Sequence, residues 1–469
     1  MPPTFKYKSA NNHIFSDQTD LNRNLGLTET FAIVIGRILG SGIFRTPAPI
    51  MILVSSVSLF GGIWIIGGLA TLLGAICYAE LVAMIPRSGG PYAYLKASYP
   101  PVWTFLRGWA MFFVSETGAI AAVALVFAGY ANALWEIATG EPYSLTVQIL
   151  IALATIWILT IINCLGVKFG GLIQDFFSSL KILALGAVIA VGFSFGGNLT
   201  HFSTDFFPSH FNLGTFLGFS AAMRYAFFAY SGWEGPTYIA EEVKNPRRNL
   251  PLAMILGIVG IMILYLAANG AYLYQLGVTE IKAHKWVATA AMRMAIGTAG
   301  GVLISLAVML NTFGNISAQV LCKARTWYAM ARDGLFFSRI GTINHKTKTP
   351  NTALIAQAFW ASVLLLGAAF AENAYETIID YFTFTSRAFD VMTFTAVFVL
   401  RRKYPNQHRP YRAWGYPFTL IIVVLIQFWI MSTTLITALV PSLFGILLTS
   451  TGLLYFYRKA IIRFIQKLR

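Results

Sequence analysis

Charged residues are scarce in this chain of 469 residues, where they make up 11% of the sequence against 57% hydrophobic residues. A soluble globular chain carries about 25% charged residues. The mean hydropathy of +0.66 points the same way. The composition therefore excludes a soluble domain and predicts an all-α protein with many membrane-spanning helices.

Cysteine is equally rare, and Cys77, Cys164 and Cys322 each lie inside or at the edge of an apolar run. That spacing indicates neither a disulfide framework nor a metal cluster. No phosphate-binding loop, catalytic triad or dinucleotide fingerprint stands in a convincing context, so we expect no cofactor, no metal and no enzymatic role. The first thirty residues are polar and lack the apolar core of a cleavable signal peptide.

Basic residues outnumber acidic ones, 34 to 18, which gives a formal net charge of +16. Such a charge would suit a nucleic-acid-binding protein, but the basic residues lie in loops between apolar runs rather than on one face. This distribution fits the positive-inside rule of membrane proteins and argues against a nucleic-acid partner.

Apolar runs of about 20 residues predict twelve membrane spans. Their approximate bounds are 27–52, 61–84, 102–134, 146–165, 169–193, 214–240, 250–276, 297–328, 351–370, 376–400, 416–437 and 439–457. Residues 278–294 are predicted to form an amphipathic surface segment.

The loop charges predict the orientation. Lys and Arg collect in loops of one side, including Lys6, Lys8, Arg87, Lys96, Lys168, Lys244, Arg247, Arg332, Lys348, Arg401 and Arg412. Loops 135–145 and 194–213 on the opposite side contain none. Both termini are therefore expected in the cytoplasm. The predicted organisation is a cytoplasmic tail at 1–25, a core at 26–400, spans eleven and twelve at 415–457, and a second cytoplasmic tail at 458–469.

Two stretches predict interrupted helices. The first span reads IGRILGSGIFRTP at 35–47, and the sixth contains FFAYSGWEGP at 227–236. Interrupted spans in corresponding positions of two halves are the best sequence indication of a transporter binding site. The halves would be 26–193 and 214–400, with five spans each. An odd number of spans places them in opposite orientations, so we predict a 5+5 inverted repeat.

With these motifs in view, the chain resembles the amino acid–polyamine–organocation (APC) superfamily of secondary transporters. The motifs are GSGIFRTP in span one, FAYSGWEGPTYIAEEVKNPRRNLPLA at 228–253, RTWYAMARDGLF after span eight and HRPYRAWGYP at 408–417. Within the superfamily it looks most similar to bacterial relatives of the L-type amino acid transporters.

The resemblance implies a leucine-transporter-type fold with unwound helices 1 and 6. By motif position, the backbone N–H groups of Ser41, Gly42 and Ile43 would bind the substrate's α-carboxylate. The carbonyls of Ile38, Phe228 and Ser231 would bind its α-ammonium, and Phe228 would be an aromatic gate; an ordinary packing role is the alternative. Helix termini favour such charges on physical grounds.

Ionisable residues inside spans are rare and usually functional. Lys181 matches a lysine of sodium-independent relatives, where the ammonium would take the place of sodium and brace span one against span eight. Glu234 stands where L-type relatives have asparagine, and it resembles the glutamate of arginine and polyamine exchangers. Glu116 lies in mid span three, roughly where the family lines its side-chain pocket.

Basic residues complicate the interpretation of the two carboxylates. Glu116 and Glu234 could attract a cationic substrate, and Glu234 could instead titrate with transport. Arg37 or Arg224 could neutralise either carboxylate internally, while Arg387 and Asp390 have the spacing to pair with each other. Arg45 is expected in an interfacial position.

The sequence as a whole predicts a sodium-independent transporter of L-amino acids that works by exchange or proton coupling. A cationic amino acid or polyamine exchanger is the alternative, and an amino acid-binding sensor or a channel is the alternative of another class. The expected partners are the amino acid, the lipid bilayer and protons. The resemblance implies that a cysteine in the external loop after span three would link a heavy subunit. Loop 135–146 has no cysteine, so no disulfide-linked heavy subunit is expected. The expected location is a bacterial inner (plasma) membrane.

Overall fold

A computed structural model describes Phe15 and residues 23–165, 167–332, 334–344, 346–347 and 349–468, without the side chains of 167–180, 329 and 459–468. The predicted tail at 1–25 therefore lies largely outside the described residues. So do the loop cations Lys6, Lys8 and Lys348, and the side chain of Lys168.

Sixteen α-helices make up most of the described chain. They are α1 Leu27–Ile38, α2 Gly42–Arg45, α3 Pro47–Val54, α4 Val57–Met84, α5 Pro91–Ser98, α6 Pro101–Ala110, α7 Glu116–Thr139, α8 Leu145–Leu165, α9 Val167–Ser194, α10 Leu213–Ala229, α11 Pro246–Ala283, α12 Val287–Arg332, α13 Asn351–Ala368, α14 Ala374–Lys403, α15 Phe418–Thr437 and α16 Leu439–Leu468. A π-helical turn, Met111–Ser115, joins α6 to α7, and a 3₁₀ segment, Gly235–Glu242, follows α10.

Nine helices of the described residues are long and apolar enough to cross a membrane. They are Leu27–Arg45, Val57–Met84, Pro101–Thr139, Leu145–Leu165, Pro246–Ala283, Val287–Arg332, Asn351–Ala368, Phe418–Thr437 and Leu439–Arg458. Large apolar side chains on them face outward, for example Leu150 at 58% and Ile161 at 57% exposure. In lipid, a helix satisfies its own backbone groups, and this explains an all-helical multi-pass protein.

The predicted surface segment at 278–294 lies between two kinks. Gly277 and Gly297 interrupt α11 and α12 with φ of +68° and +71°, a region that glycine adopts without strain. Between them, Ile281 and Ala291 are buried while Lys285 is exposed. This alternation is the amphipathic pattern predicted from the sequence.

Contacts among the loops of one face hold the helix ends together. Leu25 pairs with Val243 in an isolated parallel bridge, and the Lys244 N–H donates to the Leu25 carbonyl at 2.7 Å. Arg87 pairs with Glu241 at 2.9 Å and thereby connects the loop after α4 to the 3₁₀ segment. The chain entering α1 is therefore tied directly to the segment that leaves α10.

The segment between α14 and α15 is anchored on α4 by one buried carboxylate. Glu80, 2% exposed, pairs with Arg401 at 2.6 Å and with Arg409 at 3.5 Å. It also accepts a hydrogen bond from the N–H of Ala413 at 2.8 Å. The HRPYRAWGYP motif thus has a structural role here, which is to join this segment to the helices that form the site.

Candidate functional site

A cavity of about 580 Å³ is lined by both predicted interruptions. Eight of the nine candidate residues contribute to its wall, namely Ile38, Ser41, Gly42, Glu116, Lys181, Phe228, Ser231 and Glu234. The ninth, Ile43, is absent from the lining and has a fully buried side chain. Only its backbone is available for the role assigned to it.

The helical path stops at both stretches. Residues 39–41 separate α1 from α2, and residues 230–234 separate α10 from the 3₁₀ segment. The two stretches touch through their backbones, because a Cβ added at Gly42 would lie only 2.5 Å from the Cα of Ala229. A Cβ added at Gly232, where φ is +100°, would lie 2.8 Å from the carbonyl oxygen of Arg37. Glycine is required at positions 42 and 232 because a side chain there would clash with the backbone of the facing segment.

A single tyrosine serves the ends of both interrupted helices. The hydroxyl of Tyr265, on α11, lies 3.0 Å from the carbonyl oxygen of Ile38 and 3.0 Å from that of Ala229. One proton is shared between these two acceptors, each of which belongs to a final helical turn that lacks an intrahelical donor. The side chain is fully buried. Tyr265 therefore couples the geometry of the two interruptions.

Lys181 contacts the first interrupted helix. Its side chain is 5% exposed, and Nζ donates to the carbonyl of Gly36 at 3.2 Å. Within the described residues, no contact of this ammonium with α12 is found. The residue of α12 that lies next to the first interruption is instead Asn315. Its side-chain amide nitrogen lies 2.8 Å from the position that a Cβ added at Gly40 would occupy.

Glu116 has its partner in Lys323, a residue of α12 that the sequence analysis did not single out. The Lys323 Nζ lies 2.7 Å from the Glu116 carboxylate. The side chain of Lys323 is 5% exposed, and that of Glu116 is 15% exposed. Nζ also lies 4.8 Å from the ring centroid of Tyr238. Removing one member of a buried pair typically destabilises a protein by roughly 3–5 kcal/mol, because the other charge is left without compensation.

Glu234 is placed differently from Glu116. It is half-buried at the start of the 3₁₀ segment and lines the cavity. Among the described residues, no ion pair or hydrogen bond to its carboxylate is found. Arg37 and Lys323 both lie within electrostatic range of it. Unlike Glu116, Glu234 is therefore not neutralised by a direct ion pair within the described part of the chain.

Two further arginines inside the predicted spans, Arg224 and Arg387, form ion pairs of their own. Arg224, considered above as a neutraliser of Glu116 or Glu234, pairs instead with Asp380 at 2.7 Å. Arg387 pairs with Asp390 at 3.2 Å, as the spacing predicted.

Aromatic side chains cover the cavity on the face opposite the chain termini. Phe228 lies 6.1 Å from the ring of Tyr375 and 5.9 Å from that of Phe382. Arg45, expected at an interface, is 5% exposed, lies over the ring of Tyr375 at 4.8 Å and pairs with Glu376 at 3.8 Å.

The residues that the sequence analysis missed differ in how visible they were. Lys323 and Asp380 are ionisable residues inside the predicted spans 297–328 and 376–400, so the rule applied to Lys181 and Glu116 would have found them. Tyr265 is one of 21 tyrosines. Nothing in its neighbourhood in the sequence distinguishes it, because its role depends on the meeting of three helices.

Comparison with known proteins identifies the family of the chain. Residues 25–457 match the amino acid permease family, and the chain belongs to that family. It is 30% identical to the serine/threonine exchanger SteT of Bacillus subtilis, over 94% of this chain and 98% of that protein. It is 29% identical to the mouse b(0,+)-type amino acid transporter 1, over 94% and 88% of the two chains, and 31% identical to the mouse Asc-type amino acid transporter 1, over 88% and 76%.

The contact between the two interruptions yields a first prediction. Gly42→Ala places a methyl group against the backbone of Ala229, so the interruptions must separate and substrate binding should be lost. Gly61→Ala on α4 is the control, because its added methyl group meets open space. Binding is measured by thermal stabilisation of the purified protein with amino acids. Equal stabilisation of both variants by substrate would contradict the close contact described here.

Tyr265 yields a second prediction. Tyr265→Phe leaves two buried carbonyls without their shared donor, which should destabilise the protein by about 1–3 kcal/mol and slow amino acid exchange in proteoliposomes. Tyr272→Phe is the matched control on the same helix, since the Tyr272 hydroxyl is buried without a hydrogen-bond partner among the described residues. Equal exchange rates for the two variants would show that the hydroxyl of Tyr265 has no special role.

Proposed function

We propose that the chain is a sodium-independent secondary transporter of L-amino acids that works by alternating access, either as an exchanger or with proton coupling. The observation that carries the proposal is the cavity bounded by two helix interruptions that touch each other. Membership of the amino acid permease family supports the substrate class. The names of the relatives, which include a serine/threonine exchanger, favour exchange.

The proposed architecture has twelve spans arranged as a 5+5 inverted repeat followed by two more. Besides the nine apolar helices, the three further spans are α9, α10 with its 3₁₀ continuation, and α14. The sixth span is not among the nine because the interruption divides it and leaves α10 too short. Charged residues such as Arg387 and Asp390 make α14 less apolar than the nine. Interruptions in the first and sixth spans support the repeat.

The substrate's α-groups would be held by backbone. The carboxylate would accept from the N–H groups of Ser41, Gly42 and Ile43, which belong to the start of α2 and lack intrahelical acceptors. The ammonium would donate to the carbonyls of Ile38 and Ser231.

The carbonyl of Phe228 is less suited to the ammonium than the family pattern implies. It already accepts from the N–H of Ser231 at 3.1 Å and from the hydroxyl of Ser231 at 2.7 Å, which uses both lone pairs. We therefore assign Phe228 mainly the role of an aromatic gate.

Lys181 would supply the fixed positive charge that sodium supplies in sodium-coupled relatives. Its ammonium is buried and bonds to α1 close to the interruption. A cation at this place would remove the need for sodium.

The described conformation would be one open toward the cytoplasm. Leu25, Glu29 and Ile33 from the N-terminal part of the chain line the cavity. The opposite face is covered by Phe228 and by Arg45 with Glu376. The loop charges favour cytoplasmic termini, and the proposed location is a bacterial inner membrane.

The protein would function without a disulfide-linked heavy subunit. The external segment 135–146 contains no cysteine, and α7 continues through Thr139 so that only a short connection precedes α8. All three cysteines are free.

Counterflow in proteoliposomes tests the proposed function. Liposomes preloaded with unlabelled amino acid should accumulate labelled amino acid, and replacing sodium by choline should leave the rate unchanged. Lys181→Ala should reduce turnover more than thermal stability. Passive equilibration without counterflow would indicate a channel, and binding without uptake would indicate a sensor. A steep sodium dependence would remove Lys181 from the proposed role.

Glu234 is the proposed coupling residue. Glu234→Gln keeps the shape and removes the charge, so uptake of a neutral amino acid should persist while its dependence on pH flattens. The groups within electrostatic range of Glu234 (Arg37, Tyr78, Tyr238, Lys323 and Asp390) remain in this variant. Uptake that matches the unmodified protein from acidic to neutral pH, for neutral and cationic substrates alike, would reduce Glu234 to a structural residue.

A further inference from the structure

The ion pair between Glu116 and Lys323 belongs to the cavity wall rather than to a helix interface away from it. Both residues line the cavity, and their charged atoms lie 2.7 Å apart. They come from α7 and α12, which pack against each other along their lengths. The pair therefore presents a neutralised carboxylate to whatever occupies the cavity.

The position of Glu116 is built by the π-helical turn that precedes it. The helix is wider at the π-helical turn Met111–Ser115, so the carbonyl of Phe113 lies outside the regular series of α-helical hydrogen bonds. That carbonyl accepts from Trp360 at 2.7 Å and from Tyr381 at 2.6 Å. Glu116 follows directly as the first residue of α7. The turn is thus held by side chains of two other helices, α13 and α14, and it fixes where the carboxylate is presented.

The surroundings of the pair are rich in positive charge. Five basic and four acidic side chains line the cavity, so its wall carries no excess of negative charge. Arg107 is 7% exposed, and its Nε and Nη1 atoms find no hydrogen-bond partner among the described residues. Arg37 lies within electrostatic range of both Glu116 and Glu234. Near Glu116, a cationic substrate side chain would therefore meet Lys323, Arg107 and Arg37 rather than an unpaired carboxylate.

We propose that Lys323 sets the substrate class of this site. By occupying Glu116, it restricts the cavity to amino acids with uncharged side chains and excludes cationic amino acids and polyamines. The inference rests on the proposed function, since it presupposes that the cavity binds amino acids. Lys323 acts here as a specificity-determining residue.

The pair also makes two opposite changes of specificity possible. Without Lys323, the carboxylate of Glu116 is left unpaired and attracts an ammonium or guanidinium of the substrate. Without Glu116, the ammonium of Lys323 is left unpaired and attracts a carboxylate of the substrate. Removing both charges restores a neutral wall.

The experiment compares the unmodified protein with Lys323→Gln, Glu116→Gln and the double variant. Thermal stabilisation and competition for uptake are measured with serine, lysine, arginine and glutamate. The unmodified protein should respond to serine alone. Lys323→Gln should gain lysine and arginine, with their affinity relative to serine rising at least about tenfold, and Glu116→Gln should gain glutamate by a similar factor. The double variant should return to serine alone.

Lys323→Arg is the conservative control, because it keeps the positive charge and should keep the original selectivity. A gained substrate cannot result from misfolding, which makes the readout independent of stability. Should one single variant fail to fold, the other single variant and the double variant still test the proposal. Arginine uptake by the unmodified protein, or unchanged selectivity in folded single variants, would overturn it. Failure of the unmodified protein to transport any amino acid would instead contradict the proposed function.

Discussion

The structure depends on how polar backbone groups are satisfied where two helices stop inside an apolar protein. An unpaired carbonyl or N–H group in such surroundings is strongly unfavourable. Tyr265 satisfies one carbonyl at the end of each helix, at Ile38 and Ala229. Gly42 lets the two interruptions meet without a side chain between them. Residues of both interruptions line the cavity, which supports the proposal that their backbone groups hold a zwitterionic ligand.

The second constraint is the compensation of buried charge. Glu116 with Lys323, Arg224 with Asp380, and Arg387 with Asp390 each bring a carboxylate to a cation within the helical part of the chain. These pairs connect different helices in two of the three cases. Because an ion inside the protein is unfavourable without a partner, each pair also determines which charges remain available to a ligand. Among the described residues that line the cavity, Glu29 and Glu234 are the carboxylates without an ion pair.

The two faces of the protein are held by different chemistry. On the face of the termini, ion pairs and a backbone bridge connect Leu25, Arg87 and Glu241 to neighbouring segments. On the opposite face, aromatic rings around Phe228 and Arg45 cover the cavity. Alternating access would require the aromatic cover to open and the contacts on the face of the termini to tighten around α1. The cavity thus lies between two layers whose interactions can change separately.

The sequence by itself determined the all-helical membrane class, the family, and the two glycine-containing stretches, because apolar run length and small-residue composition are local properties. It also identified eight residues of the cavity wall, among them Ser41, Glu116 and Glu234, since charges and breaks inside apolar runs stand out. Only the tertiary structure decided how those residues combine. Lys323 rather than Arg224 meets Glu116, Asn315 rather than Lys181 brings α12 to the first interruption, and Tyr265 joins both helix ends. These outcomes depend on distances between helices far apart in the chain, which no local pattern encodes.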